Sequence, residues 1–392
     1  MHASQRTPLH VVPSNKCPTW SQMARRRSQI LSRRSRPRRT PARAGVTAPT
    51  PARWSGMPLR TPSTLLTLAG LLAAPLIAAA VPGSPTAAAA QAAPVAAKAA
   101  PPRYQEYVAL GDSWSADVVL LDANGLPDTT HVPIDCVQSH TNYPKLVARR
   151  LGVKTFRDAT CGSATTDHFT KPQSLPLGGK NPPQFDRLTR RTDLVTMGIG
   201  GNDAGIASGA LSCISLLPIG IPTPTLPLPD IVPLIGNSTL PLGACKERFT
   251  AGGVDRLAAN IARSENKVVR ALREVHRRSP KARILLVNYL DAIPAQGCWP
   301  IVPITNSDMA YLHGVFAKLN RMLARAARRG GAELVDTHPL SRGHDVCAPA
   351  TERYVEGLGV LSLNDLAIAV PAHPNSAGAR SQAASVLRQL RR

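Results

Sequence analysis

Five short apolar runs that alternate with helical patterns constrain the fold of this 392-residue chain more than any other feature. The runs are Tyr107–Leu110, Lys154–Arg157, Asp193–Met197, Arg283–Asn288 and Glu333–Asp336, each of strand length. Between them, apolar residues recur at helical spacing. Tyr143–Leu151 stops at Gly152, a residue suited to the left-handed position after a helix. Leu257, Ile261, Val268, Leu272 and Val275 form one stripe, and Val315, Leu319, Met322 and Leu323 form another. Ser376–Leu390 reads as a further helix. Strands joined by helical crossovers run parallel, and a parallel sheet buries both of its faces. The expected fold is therefore α/β, a three-layer α/β/α sandwich around a mostly parallel five-stranded sheet.

Residues 1–100 stand outside this pattern. They carry 14 Lys and Arg and no Asp or Glu, so the net charge of +23 falls to +9 over residues 101–392. Basicity is thus a property of the leader. Arg25–Arg43 lacks the interleaved aromatics of a nucleic-acid surface and precedes an export-like segment, so no nucleic-acid partner is expected. From Met57 onward, Arg60 supplies a positive n-region and Leu65–Ala80 an apolar core interrupted by Pro75. Ala87–Ala100 then offers small-residue cleavage sites, for instance after Ala90 or Ala93. Residues 57–100 are expected to be a signal peptide and Ala-rich linker, and 1–56 a disordered basic leader or a stretch upstream of the true start. Residues 101–392 are left as one folded, secreted domain.

Cysteine usage agrees with export. Cys17 lies in the leader, and six remain: Cys136, Cys161, Cys213, Cys245, Cys298 and Cys347. An even number behind an export signal reads as disulfides, and the lack of any C-x-x-C pair speaks against zinc and thioredoxin-like redox chemistry. Sequence alone does not choose among the fifteen pairings that six cysteines allow. Cys213 and Cys245 bracket Ile214–Leu242, a stretch rich in Pro, Leu and Ile with Asp230 as its single charge. So many prolines exclude a helix or a central strand. Residues 214–242 are expected to be an apolar, irregular insertion with a function of its own.

Four blocks carry chemistry. Gly111-Asp112-Ser113-Trp114-Ser115 follows the first strand directly, which delivers a serine hydroxyl to the carboxyl edge of the sheet, where α/β proteins bind ligands. That hydroxyl is a weak nucleophile until a base adjoins it. Asp158-Ala159-Thr160-Cys161-Gly162-Ser163 follows the second strand, and a glycine there lets a backbone N–H approach a reacting carbonyl. Gly198-Ile199-Gly200-Gly201-Asn202-Asp203 follows the third. It lacks both phosphate-loop spacings, so its role is to present the Asn202 amide rather than to bind a nucleotide. His373-Pro374-Asn375 precedes the last helix. Its place in the order sets His373 ahead of His338 and His344 as the base.

Taken in order, these blocks resemble the SGNH hydrolases, or GDSL esterase/lipase family, from Tyr107 to the C-terminus. The resemblance implies a flavodoxin-like fold, with Ser113 as nucleophile and His373 as general base. It further implies an oxyanion hole made by the Ser113 N–H, the Gly162 N–H and the Asn202 amide, with no metal and no organic cofactor. Cys298-Trp299-Pro300 and Gly343-His344-Asp345-x-Cys347 resemble the secreted actinobacterial lipase branch, which implies disulfides between successive cysteines. One position departs from the family. Where it carries Asp three residues before the histidine, this chain has Val370. The expected orienting group is then the Val370 carbonyl, with Asp365 as the weaker candidate; a carbonyl fixes the imidazole tautomer but stabilises imidazolium less than a carboxylate does.

The function expected is a secreted serine esterase or lipase acting on carboxylic, chiefly fatty-acyl, esters through an acyl-enzyme. Its partner is a lipid or other small ester, met as a monomer with transient contact to a membrane or lipid-droplet surface. The apolar insertion favours acyl substrates. A carbohydrate O-deacetylase of the same fold would stack sugars on aromatics, which make up only 4% of this chain. The remaining alternative, a non-catalytic lipid- or wall-binding module, is disfavoured by the intact Ser113, Gly162, Asn202 and His373.

Overall fold

The computed structural model describes residues 103–215, 223–227, 239–357, 361–362 and 367–392. The export-like segment, most of the 214–242 insertion and Asp365 lie outside these residues. Five strands form the main sheet: β1 (Glu106–Gly111), β2 (Thr155–Asp158), β3 (Leu194–Gly198), β4 (Arg283–Val287) and β5 (Glu333–Val335). Their order is β5–β4–β3–β1–β2, and every pairing is parallel. The helices that flank them and matter below are α1 (Ser113–Ala116), α2 (Tyr143–Leu151), α3 (Arg256–Arg278), α4 (Asn306–Gly330) and α5 (Ser376–Leu390).

Strand periodicity sorts the core into two layers. Val108, Leu110, Val195, Met197, Ile284 and Leu286 face one way and pack with Leu257, Ile261, Val268, Leu272, Val315, Leu319 and Leu323 of α3 and α4. Tyr107, Ala109, Leu194, Leu285 and Val287 face the other way and meet Tyr143 and Val147 of α2 and Val386 and Leu390 of α5. Burial on both faces is why the central strands β1, β3 and β4 read as continuous apolar runs rather than alternating ones.

The strand order opens a crevice. From β1 the chain leaves for β2 on one side and then returns to β3 on the other, so the connections diverge at the carboxyl ends of β1 and β3. Ser113 follows β1 at this point, Cys161 follows β2 and Asn202 follows β3.

A second, antiparallel sheet was not foreseen. Val119–Leu121 pairs with Ala367–Ala369, which pairs with Leu361–Ser362. It carries consequence, because Val119 follows α1 closely and Ala369 precedes His373. Together with the bond from the Val370 N–H to the Val118 carbonyl at 3.3 Å, it joins the two ends of the site. In the insertion, Thr223–Pro227 and Thr239–Leu242 form an antiparallel ribbon apart from the main sheet, where irregular chain was expected. Prolines are compatible with such edge strands.

Disulfides join Cys136 to Cys161, Cys213 to Cys245 and Cys298 to Cys347, closing separations of 25, 32 and 49 residues. Loops of this size correspond to about 3–4 kcal/mol each in the chain-entropy model.

Gly111 is the tightest point of the sheet. A Cβ there would stand 2.6 Å from the Gly198 carbonyl oxygen and 2.5 Å from Ser115 Oγ, at a φ of +157°. Backbone on a buried ladder cannot yield, so Gly111→Ala is expected to destabilise the fold by about 3 kcal/mol, the upper end for overpacking. Urea unfolding of the variant measures this, and a loss under about 1 kcal/mol would show that β1 and β3 can part there.

Candidate active site

Ser113 sits at the first position of α1, and the preceding Asp112 caps that helix by accepting the Trp114 N–H at 3.0 Å. The strand-to-helix break holds the hydroxyl at the crevice. Ser113 Oγ lies 2.8 Å from His373 Nε2, although 260 residues separate the two in sequence. Asp112 itself is buried. Burial pushes its carboxyl up to about 7, against the pull of hydrogen bonds from the Tyr289 hydroxyl and the Trp114 N–H, while the nearby Asp203 charge adds to the rise.

His373 belongs to a loop that is tied down on its far side. Its carbonyl accepts the Glu356 N–H at 2.9 Å, the Ala372 N–H donates to the Glu356 carbonyl at 2.9 Å, and the Asn375 N–H to that of Tyr354 at 3.0 Å. The fully buried Glu356 carboxylate receives Asn375 Nδ2 at 2.9 Å and the Arg353 guanidinium at 2.6 and 3.0 Å. Asn375 Oδ1 in turn caps α5 through the Gly378 N–H at 3.0 Å. Ala372 is left-handed, with φ +60°. A non-glycine residue pays roughly 1–2 kcal/mol for that conformation, and these bonds hold it there.

That turn alters one expectation. The carbonyl at hydrogen-bond distance from His373 Nδ1 is that of Pro371, at 2.8 Å, where that of Val370 was expected. The left-handed Ala372 folds the imidazole back onto the carbonyl two residues earlier rather than three. Desolvation lowers the imidazole to about 4, with the Pro371 and Val370 carbonyls acting in the opposite sense. The ring centroid lies 6.3 Å from that of Trp114.

Block two departs further from expectation. The Gly162 N–H, expected to face a developing oxyanion, donates to the Cys136 carbonyl at 3.1 Å, and the Gly162 carbonyl accepts Gln173 Nε2 at 2.6 Å. Both polar groups of this buried residue are thus engaged within the protein, by Cys136 and by Gln173. The next residue, Ser163, is exposed and left-handed, with φ +59°. Its N–H meets no acceptor among the described residues. The turn is held between the other two blocks: the Cys161 N–H donates to the Gly111 carbonyl at 3.2 Å, and Asn202 Nδ2 to the Ala164 carbonyl at 2.9 Å. Asp203 grips Thr166 through its N–H at 2.9 Å and its hydroxyl at 2.6 Å. One N–H of the Asn202 amide therefore fixes the side chain, and its second N–H remains for another acceptor.

The competing histidines are occupied elsewhere. His338 faces Asp291 at 3.4 Å, and His344 bonds the Glu352 carbonyl at 2.6 Å while stacking on Tyr354. Among the described residues, no three His, Cys, Asp or Glu side chains converge as a metal would require. Sequence reading missed Ser163, Pro371 and Glu356. A small residue beside the block-two glycine and a proline beside Val370 were visible signals, but only backbone conformation separates each pair.

The profile of the GDSL-like lipase/acylhydrolase family matches residues 109–380. Lipase 2 of Streptomyces coelicolor is 34% identical over 281 residues, covering 71% of this chain and 83% of that protein. An esterase of Streptomyces scabiei is 31% identical over 314 residues, covering 74% of this chain and 87% of its own. The crystal structure of phospholipase A1 from Streptomyces albidoflavus NA297 superposes with a TM-score of 0.52 at 20% identity, over 73% of this chain and 99% of that one, and so shares the fold. By its four ordered blocks, its 2-1-3-4-5 parallel sheet and these matches, the chain belongs to the GDSL-like lipase/acylhydrolase family and is a carboxylic ester hydrolase.

Proposed function

We propose that the chain is an exported serine esterase that cleaves fatty-acyl esters through an acyl-enzyme on Ser113. The observation that carries this reading is the 2.8 Å contact between Ser113 Oγ and His373 Nε2, on a ring whose Nδ1 is occupied by a backbone carbonyl. With Nδ1 protonated, Nε2 is the lone-pair nitrogen and takes the serine proton as Oγ attacks the ester carbon. The oxyanion is received by the Ser113 N–H, the Ser163 N–H and the second N–H of the Asn202 amide, with Ser163 in the role first expected of Gly162. Loss of one such donor costs about 3 kcal/mol of transition-state stabilisation in other enzymes. His373 then gives its proton to the leaving alcohol, and a water activated by the same nitrogen hydrolyses the acyl-enzyme.

Two features support apolar acyl substrates. Leu121 and Ile368 are exposed as a cross-strand pair on the small sheet that leads to His373, with Leu120 and Leu126 exposed nearby in sequence, and exposed apolar surface beside a site suits an apolar ligand. The Pro- and Leu-rich stretch 214–242 enters soon after Asn202. Relatives named lipase and esterase support the same class. Export is supported by three disulfides behind an apolar leader.

Ser113→Ala is expected to lower kcat for ester hydrolysis by at least ~10⁴-fold, with a melting temperature close to that of the parent. Steady-state kinetics on p-nitrophenyl esters from acetate to palmitate then defines the substrate. The expected kcat/KM rises with acyl length, by up to ~0.8 kcal/mol for each buried CH₂. A maximum at acetate would replace the lipase reading with that of an acetyl esterase.

The pH dependence follows from His373. The base acts only when neutral, and desolvation holds its imidazole at about 4, so lowering the pH from neutral to 5 leaves it neutral. The acid limb of kcat/KM is therefore expected below pH 5, falling tenfold per unit, rather than at the ~6.5 of a free histidine. Asp112, held up to about 7, titrates separately; Asp112→Asn is expected to leave the limb where it is. A limb at 6.5 in both proteins would mean that the ring is solvated in the working enzyme.

A further inference from the structure

Nucleophile and Asn202 amide arrive on different strands, β1 and β3, and catalysis depends on their separation. One side chain bonds to both turns. Tyr289 follows β4 and is buried. Its hydroxyl donates to Asp112 Oδ2 at 2.5 Å and accepts the Gly201 N–H at 2.8 Å. Asp112 immediately precedes Ser113, and Gly201 immediately precedes Asn202, so one oxygen spans the two reacting elements.

Tyr289 is itself immobilised. Its N–H donates to Asn320 Oδ1 at 3.1 Å and its carbonyl accepts Asn320 Nδ2 at 2.9 Å, which clamps its backbone to α4. Its ring meets that of Trp114 edge-on at 5.2 Å. The approach to block three is close enough that a Cβ on Gly201 would stand 2.8 Å from the hydroxyl oxygen. That gives the second glycine of Gly200-Gly201-Asn202-Asp203 a reason of its own: it admits the hydroxyl to the backbone amide. Asp112 uses its other oxygen for the Trp114 N–H, so the carboxyl stiffens the first turn of α1 at the same time. In a dry, fully partnered setting such bonds hold geometry well.

We infer that Tyr289 is a positioning residue for ester hydrolysis, which sets Ser113 against Asn202 by bonding Asp112 and Gly201 together. The inference rests on the reading of Ser113 as nucleophile and Asn202 as oxyanion donor. Tyr289 touches no reacting atom. Its contribution is geometric, and a displacement of ~1 Å in such a site costs about 10²-fold in rate.

The test is a double-mutant cycle of Tyr289→Phe and Asn202→Ala on a p-nitrophenyl ester, with kcat and KM measured separately. Tyr289→Phe is expected to lower kcat by about 10- to 100-fold and to change KM by less than about twofold. In the Asn202→Ala background the same substitution is expected to cost less than about threefold, because the donor it helps to place is gone. Asn202→Ala alone must lower kcat by about 10²–10³-fold. If it does not, the oxyanion reading fails. If it does, but Tyr289→Phe leaves kcat unchanged or its loss adds fully to that of Asn202→Ala, the positioning role is overturned while the oxyanion reading stands. Should Tyr289→Phe not fold, Asp112→Ala takes its place in the cycle, because it removes the acceptor of the Tyr289 hydroxyl, and the same coupling is expected.

Discussion

The hydrogen bond from the Asp112 N–H to the Gly198 carbonyl, at 3.0 Å, is the contact on which the rest of the molecule depends. It is the last bond between β1 and β3, and it forms where β1 is already turning into α1. Around it, Gln184 satisfies both polar groups of Gly111, accepting its N–H at 2.8 Å and donating to its carbonyl at 2.9 Å. The same carbonyl accepts the Cys161 N–H, which brings in the chain beyond β2. Buried backbone groups must find partners, and here the partners are the end of β3 and two points of the β2–β3 connection. The end of β3 and Cys161 each lead into a block of the site.

This explains what was legible in the sequence. Central strands buried on two faces leave continuous apolar runs, so β1, β3 and β4 could be read within a residue or so at each end, and the alternation with helices placed the half-buried edge strands β2 and β5. The roles proposed for Ser113 and Asn202 could be read because glycine-rich turns directly after such runs have few other uses. Legibility failed where conformation, not composition, decides. Gly162 was the natural candidate for a backbone donor, yet it is Ser163 that occupies the left-handed position at φ +59°, while the glycine amide is turned inward to Cys136. The same holds at Val370 and Pro371, since both offer a carbonyl and only the left-handed Ala372 selects between them.

Long-range polar partners were illegible for a different reason. Tyr289 reaches Asp112 across 177 residues, and Asn375 reaches Glu356 from the opposite side of a loop. Neither pair has a local pattern, because a tyrosine after a strand is more often packing than chemistry. The small antiparallel sheet was hidden likewise. Its strands are two or three residues long, too short for alternation to register, although they are what carry His373 back to Ser113.

On the proposed mechanism, replacing a carboxylate by carbonyls changes how charge is managed during the reaction. A triad carboxylate stabilises imidazolium by a full opposite charge, whereas the Pro371 and Val370 carbonyls offer only dipoles, and the desolvated ring is held at about 4. Protonation of His373 is correspondingly uphill. It occurs, however, only as the oxyanion forms a few ångströms away, and two opposite unit charges 4 Å apart attract by about 4 kcal/mol at an effective dielectric of ~20. The site thus creates charge as a pair and removes it as a pair when the leaving alcohol is protonated. No permanent ion need stand beside the base. The demand shifts to the proposed neutral donors at Ser113, Ser163 and Asn202, whose worth depends on being fixed before the substrate arrives. Rigid ties among their turns, through Asp203, Cys161 and Tyr289, are the structural counterpart of a weak third member at the histidine.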